Sequence, residues 1–261
     1  MSRFIDKLKR LRQAEPQPMG FATSRVTPEK PKLQLVARLA AENLDKISDA
    51  LTQADAALIE VGQSEDLAAV EKMCRAEKGI PTGVWLRVSA AEIVNKLTEI
   101  SCDFVLFPTS FPLAVTEKEK TGRILELDSD MSDSLLRTVN DLPVDAVMLS
   151  IKSEDTPLTL NRLMQIRRPS YMVNKPILIS VPDSLSVNEL QALWDMGISG
   201  VIIQSINQES AEKFAELRKR IDKLSPPNLH KKDKMSAILP RMTPETTEPR
   251  REGEEEEEED E

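Results

Sequence analysis

Histidine is nearly missing from this sequence of 261 residues: the single one, His230, stands in a polar C-terminal stretch. A histidine-based triad and a multi-histidine metal centre are therefore excluded from everything before it. Cysteine is almost as scarce. Cys74 and Cys102 cannot form a disulfide framework, and their spacing matches no metal site. Two inert thiols in a reducing compartment are the expectation. Glycine numbers only 8. The place where a nucleotide loop would follow the first apolar run reads Arg38-Leu39-Ala40-Ala41-Glu42, without glycine. No stretch reaches the roughly 18 apolar residues of a membrane span, and none has the shape of a signal peptide. Basic charge is also in deficit, with 35 Lys+Arg against 44 Asp+Glu and a net charge of −9, which argues against a nucleic-acid binder. A cytoplasmic protein without metal or cofactor is the resulting expectation.

The acidity is concentrated at one end. Residues 225–261 hold twelve acids and six bases, with the run Glu254–Glu261 and five prolines. Such a composition cannot offset the entropy of ordering, so 225–261 is predicted to be a disordered acidic tail. At the other end, Phe4, Ile5, Leu8 and Leu11 recur at helical spacing. They predict a short amphipathic helix over residues 2–13, whose opposite face carries Arg3, Lys7, Lys9, Arg10 and Arg12. That helix either packs on the body of the domain or makes a weak contact with an anionic membrane surface or a protein. Four prolines between residues 14 and 31 mark a linker, so 1–31 forms an N-terminal segment and 32–224 the folded domain.

Within 32–224 one unit repeats. Short apolar runs rich in β-branched residues occupy 33–40, 56–62, 83–88, 104–109, 123–128, 144–152, 176–182 and 200–205. Helical patterns lie between them at 42–54, 65–78, 90–100, 113–119, 130–142, 158–167, 186–196 and 208–223. Strand and helix alternate about every 24 residues, near the lower size limit of a (β/α)8 TIM-type barrel. Parallel strands need such crossovers, and eight of them close the sheet without an edge. The α/β class with a single closed barrel is the fold predicted; an open doubly wound sheet is the alternative. Ser186 with Glu189 reads as a capping box, Ser89 as an N-cap, and Gly79 and Gly197 as helix stops.

Side chains alternate sides along a strand. Taking the all-apolar set of each run as the helix-facing one leaves a polar residue on the inner set near the C-terminal end of seven strands. These are Arg38, Glu60, Arg87, Glu126 with Asp128, Lys152, Ser180 and Gln204. Strand four has no clear parity. Barrel chemistry is carried by the C-terminal strand ends. Three cations (Arg38, Arg87, Lys152) and three anions (Glu60, Glu126, Asp128) there fit either a closed layer of ion pairs or a site for a small charged molecule. Trp85 and Trp194 are read as core or helix–sheet contacts.

Ile59-Glu60-Val61 at the end of strand two, Asp103-Phe104-Val105-Leu106-Phe107-Pro108 at strand four and Lys152 on strand six resemble the class I aldolases of the 2-keto-3-deoxy-6-phosphogluconate aldolase group. The resemblance implies Lys152 as a Schiff-base lysine and Glu60 as its acid/base. The turns after strands seven and eight, at Val181-Pro182-Asp183-Ser184 and Gln204-Ser205-Ile206-Asn207, lack the glycines by which such enzymes bring backbone up to a phosphate.

Two functions follow as expectations. One is an aldolase-like lyase, or a binder, of a small anionic carbonyl compound. It would use Lys152 and Glu60 for catalysis, with Arg38, Arg87, Glu126, Asp128, Ser180 and Gln204 as substrate contacts. The other is a non-catalytic barrel acting as an interaction module through its terminal segments.

Overall fold

The computed structural model describes residues 2–12, 32–40, 53–63, 66–76, 79–88, 100, 102–113, 121–151, 158–203 and 210–225. The predicted linker 14–31, the tail from 226, Ser89, Lys152, Gln204 and most of the helical patterns at 42–54, 90–100 and 113–119 lie outside them.

Eight strands form: β1 (Gln34–Ala40), β2 (Ala56–Val61), β3 (Thr82–Leu86), β4 (Phe104–Pro108), β5 (Gly122–Asp128), β6 (Ala146–Ser150), β7 (Ile177–Val181) and β8 (Gly200–Ile203). Each lies within one of the apolar runs read from the sequence or passes its start by one residue. All pair in parallel in chain order, and β1 closes on β8 through Gln34↔Gly200 to Ala37↔Ile203. The result is a closed barrel with no free edge, the arrangement that alternating strand and helix patterns require.

Strand parity divides the core. Leu35, Ala37 and Leu39 of β1, Ile59 and Val61 of β2, and Ile177, Ile179 and Val181 of β7 belong to the outer cluster under the helices. Val36, Leu58, Trp85, Phe104, Leu106, Ile124, Met148, Leu178 and Ile202 belong to the inner cluster. The ambiguity of β4 is thereby resolved, with Phe104 and Leu106 inside. Trp85 also belongs to the interior, two positions before Arg87.

The N-terminal helix α1 (Arg3–Arg12) buries Phe4, Ile5 and Leu8 in that same inner cluster. It lies at the end of the barrel where the strands begin. Its apolar face is committed to the barrel, and Arg3, Lys7, Lys9 and Arg10 stay exposed. Two glycines allow the approach. A Cβ on Gly122 would stand 2.5 Å from Ile5 and 2.8 Å from Ser2, and one on Gly83 would collide with the ring of Phe104. That ring in turn meets Phe4, with centroids 4.8 Å apart.

The remaining described helices are α2 (Asp66–Ala76), α3 (Asp133–Thr138, followed by a 3-10 turn to Asp141), α4 (Leu160–Met172), α5 (Val187–Asp195) and α6 (Ser210–Asp222). The capping box predicted at Ser186 and Glu189 forms at the start of α5. The stop predicted at Gly197 also forms. Gly197 has φ 93°, its N–H donates to Trp194 O, and Ile198 N–H donates to Leu193 O. This is a Schellman ending that needs a left-handed residue. Two boundaries differ from expectation. The pattern from 130 becomes helical only at Asp133, because Met131 N–H turns back onto Asp128 O. The pattern ending at 167 continues to Met172 through Pro169. Proline normally breaks a helix by removing a donor and crowding the preceding turn. Here Pro169 is buried, and its own carbonyl accepts from Val173 N–H to close the last turn. No helix among the described residues is long and apolar enough to cross a membrane.

Candidate active site at the barrel mouth

The inner parity set brings Arg38, Glu60, Arg87, Glu126, Asp128 and Ser180 to the carboxyl end of the barrel, as the strand pattern predicts. Four of these join into one network. Arg38 Nε and Nη2 both donate to Glu60 Oε2, at 3.0 and 2.6 Å. Arg87 Nε pairs with Glu60 Oε1 at 3.2 Å, and its Nη1 lies 3.8 Å from Glu126 Oε1. The floor of the network is Trp85. Its Nε1–H donates to Glu126 Oε2 at 3.0 Å, and both guanidinium groups lie over its ring, 4.5 and 4.6 Å from the centroid. Two cations over one indole are stabilised by the ring's negative face and kept apart by Glu60 between them.

Trp85 therefore organises the site, although its type and spacing read as ordinary core. The signal that finds it is parity: it is the inward residue immediately below Arg87. It is 2% exposed, so the indole is a packed floor and its N–H needs a partner, which Glu126 supplies.

The network closes one side of the mouth. Glu60 has both oxygens engaged by arginine. A cavity of about 370 Å³ lies between the ends of β3, β4, β5 and β6, lined in part by Arg87, Thr109, Glu126, Asp128 and Ser150. That volume falls in the ~300–1,000 Å³ range of small-molecule sites. Asp128 is exposed on its wall, with no side-chain hydrogen bond or ion pair among the described residues. Ser150 shares the inner face with Met148 and adds a hydroxyl. Ser180 is 1% exposed and its Oγ has no partner among the described residues; it does not line the cavity. Lys152 and Gln204 lie outside the described residues. Among the described residues no three histidine, cysteine, aspartate or glutamate side chains are grouped to hold a metal ion.

Asp103, part of the strand-four pattern, lies at the opposite end of the barrel and serves α1. Its Oδ2 accepts from Ser2 Oγ at 2.7 Å and Phe4 N–H at 3.0 Å, and its Oδ1 accepts from Arg3 N–H at 2.9 Å.

No family model and no curated protein matches the sequence. Solved structures do. Two variants of the tryptophan synthase α-subunit from the hyperthermophile Pyrococcus furiosus superpose with TM-scores of 0.57 and 0.56, each at 16% identity over 74% of this chain and 98% of theirs. A cube-shaped, porous protein cage designed by fusing symmetric oligomeric domains matches with a TM-score of 0.56, at 14% identity over 74% of this chain and 72% of that one. The shared fold is a (β/α)8 barrel. At these identities the similarity establishes architecture, and chemistry has to be argued from the site.

Proposed function

We propose that this barrel binds a small carbonyl compound with an anionic group in the cavity between β3 and β6, and that Lys152 captures the carbonyl as a Schiff base. The observation that carries the reading is the cavity itself. It is of ligand size, stands at the carboxyl ends of the strands and is walled by a half-exposed arginine, two carboxylates and two hydroxyls. Lys152 follows Ser150 by two positions in the run 144–152, so the alternation of the sequence is what argues for an inward lysine; the residue itself lies outside the described ones. In the proposed step the neutral amine attacks the carbonyl carbon, the new C–N bond becomes C=N as the C–O bond breaks, and the carbonyl oxygen leaves as water carrying the two protons given up by the amine. Arg87 offers the carboxylate of the ligand its exposed edge. Because Glu60 is held by two arginines, Asp128 is the carboxylate better placed to exchange protons with the ligand.

Trapping tests this directly. The protein is incubated with pyruvate, glyoxylate and short aldehydes in borohydride, then mapped by mass spectrometry. The expected result is a reduced adduct on Lys152 that disappears in Lys152→Met. Adducts absent, or spread over surface lysines, overturn the Schiff base.

One observation favours a second reading, an interaction module without chemistry: the Arg38–Glu60 and Arg87–Glu126 pairs satisfy one another without a ligand. Trp85 fluorescence in a Trp194→Phe background decides between the two. A saturable change with a small carbonyl acid supports ligand binding at the mouth, and no response to any of them favours the module.

A further inference from the structure

A second pocket, of about 560 Å³, lies at the other end of the barrel, where the last turn of α1 meets the segments leading into β6 and β7. Its walls include Lys9, Arg12, Asp145, Asn174 and Lys175. The cations are held in place mainly by neutral groups. Arg12 donates from Nη1 to Lys175 O and from Nη2 to Val173 O, the latter at 2.8 Å. Lys175 Nζ donates to the carbonyls of Leu142 and Val144 at 2.8 and 2.7 Å. Carbonyl oxygens orient a cation without cancelling its charge. The one carboxylate in the wall, Asp145, is shared between Lys9 at 3.1 Å and Arg123 at 3.3 Å. Asp141 acts on Lys175 from further away. Four cations thus face two acids.

Burial makes this imbalance costly. It pushes the Lys175 ammonium below its ordinary range, with Asp145 opposing that shift, and it lowers Arg12 as well. Lys9, Arg12 and Lys175 each keep N–H donors beyond the bonds already made. Several separate cations around one space suit a multiply charged tetrahedral anion. A single carboxylate would be satisfied by one guanidinium fork.

We propose that this pocket, built where α1 docks onto the barrel, binds a phosphoryl group. It is independent of the mouth in position and in residues. The phosphoryl group comes either from a soluble phosphate compound or from a phospholipid headgroup, since exposed Arg3, Lys7 and Arg10 continue the basic surface along α1.

Titration calorimetry of the full chain, at constant ionic strength set with sodium chloride, provides the test. Inorganic phosphate, pyrophosphate and glycerol phosphate form the soluble arm. Phosphatidylcholine vesicles with and without phosphatidic acid form the lipid arm. Saturable binding is expected in one arm, roughly tenfold weaker in Lys175→Met and in Lys9→Met. Asp145→Asn is expected to tighten it several-fold, a gain that mere loss of structure does not produce. Lys9 is half exposed and its removal leaves the carbonyl contacts of Lys175 intact, so that variant serves if Lys175→Met fails to fold. Binding confined to phosphatidic acid vesicles, with the same dependence on Lys9, places the phosphoryl group on a lipid. No saturable binding in either arm, or binding indifferent to Lys9, Lys175 and Asp145, overturns the proposal.

Discussion

The carboxylate of Asp103 accepts the backbone N–H of Phe4 at 3.0 Å from 99 residues further along the chain. Together with the bonds from Arg3 N–H and Ser2 Oγ, it satisfies amides at the start of α1 that no intrahelical carbonyl can reach. A negative charge there is also favoured by the helix dipole. Asp103→Ala is expected to cost about 1–2 kcal/mol in urea unfolding and to expose the first twelve residues to protease before the barrel opens. Asp103→Asn, which keeps an acceptor, should lose less. Equal protease resistance of Asp103→Ala and the parent protein would remove the capping role.

Gly122→Ala tests the same joint from the barrel side. The added methyl stands 2.5 Å from Ile5 Cγ1 and 2.8 Å from Ser2. Overpacking of this kind costs about 1–3 kcal/mol. The loss should shrink when Ile5 is shortened to alanine in the same chain, and a double-mutant cycle in denaturant reads that coupling.

At the mouth, Trp85→Phe keeps an apolar ring but removes the N–H bonded to Glu126 and weakens the face beneath both arginines. About 2 kcal/mol of stability should be lost. Trp194→Phe removes no such network and serves as the control. Thermal unfolding of the two variants side by side gives the comparison, and equal losses would deny Trp85 its organising part.

The acid limb of the stability curve has an identifiable contributor. Burial alone would raise the Asp145 carboxyl. The Arg123 backbone N–H and the Lys9 ammonium outweigh it and hold it below the usual carboxylate range. A folded-state value depressed in this way stabilises the protein above the unfolded value, near pH 4, and the contribution is lost as pH falls through the folded value. Asp145→Asn should therefore flatten the loss of stability below about pH 4 while lowering stability at neutral pH. Urea midpoints across pH 2.5–7 check both halves.

Much of the barrel was legible in the sequence because its rules are local. Runs of β-branched residues became strands, and alternation along them correctly assigned Arg38, Glu60, Arg87, Glu126, Asp128 and Ser180 to the inner set. The box at Ser186 and the left-handed stop at Gly197 are likewise short-range chemistry. What escaped was long-range. Trp85 reads as core until its indole N–H is seen to reach Glu126, 41 residues away. Asp103 reads as part of a strand pattern until α1 arrives to be capped. The pattern read to 167 runs on through Pro169 because burial and the closing bond from Val173 hold the turn together.

The amino-acid order alone determined that strand and helix alternate and, outside β4, which side of a strand faces inward, because those choices depend on neighbours one to four positions apart. Only the closed barrel decided that the arginines lie over one indole, that a cavity opens beside them, and that an N-terminal helix seals the far end. Apart from Arg87, which follows Trp85 by two positions, those relations join residues from 22 to more than 160 positions apart, and no local periodicity encodes which of them will meet.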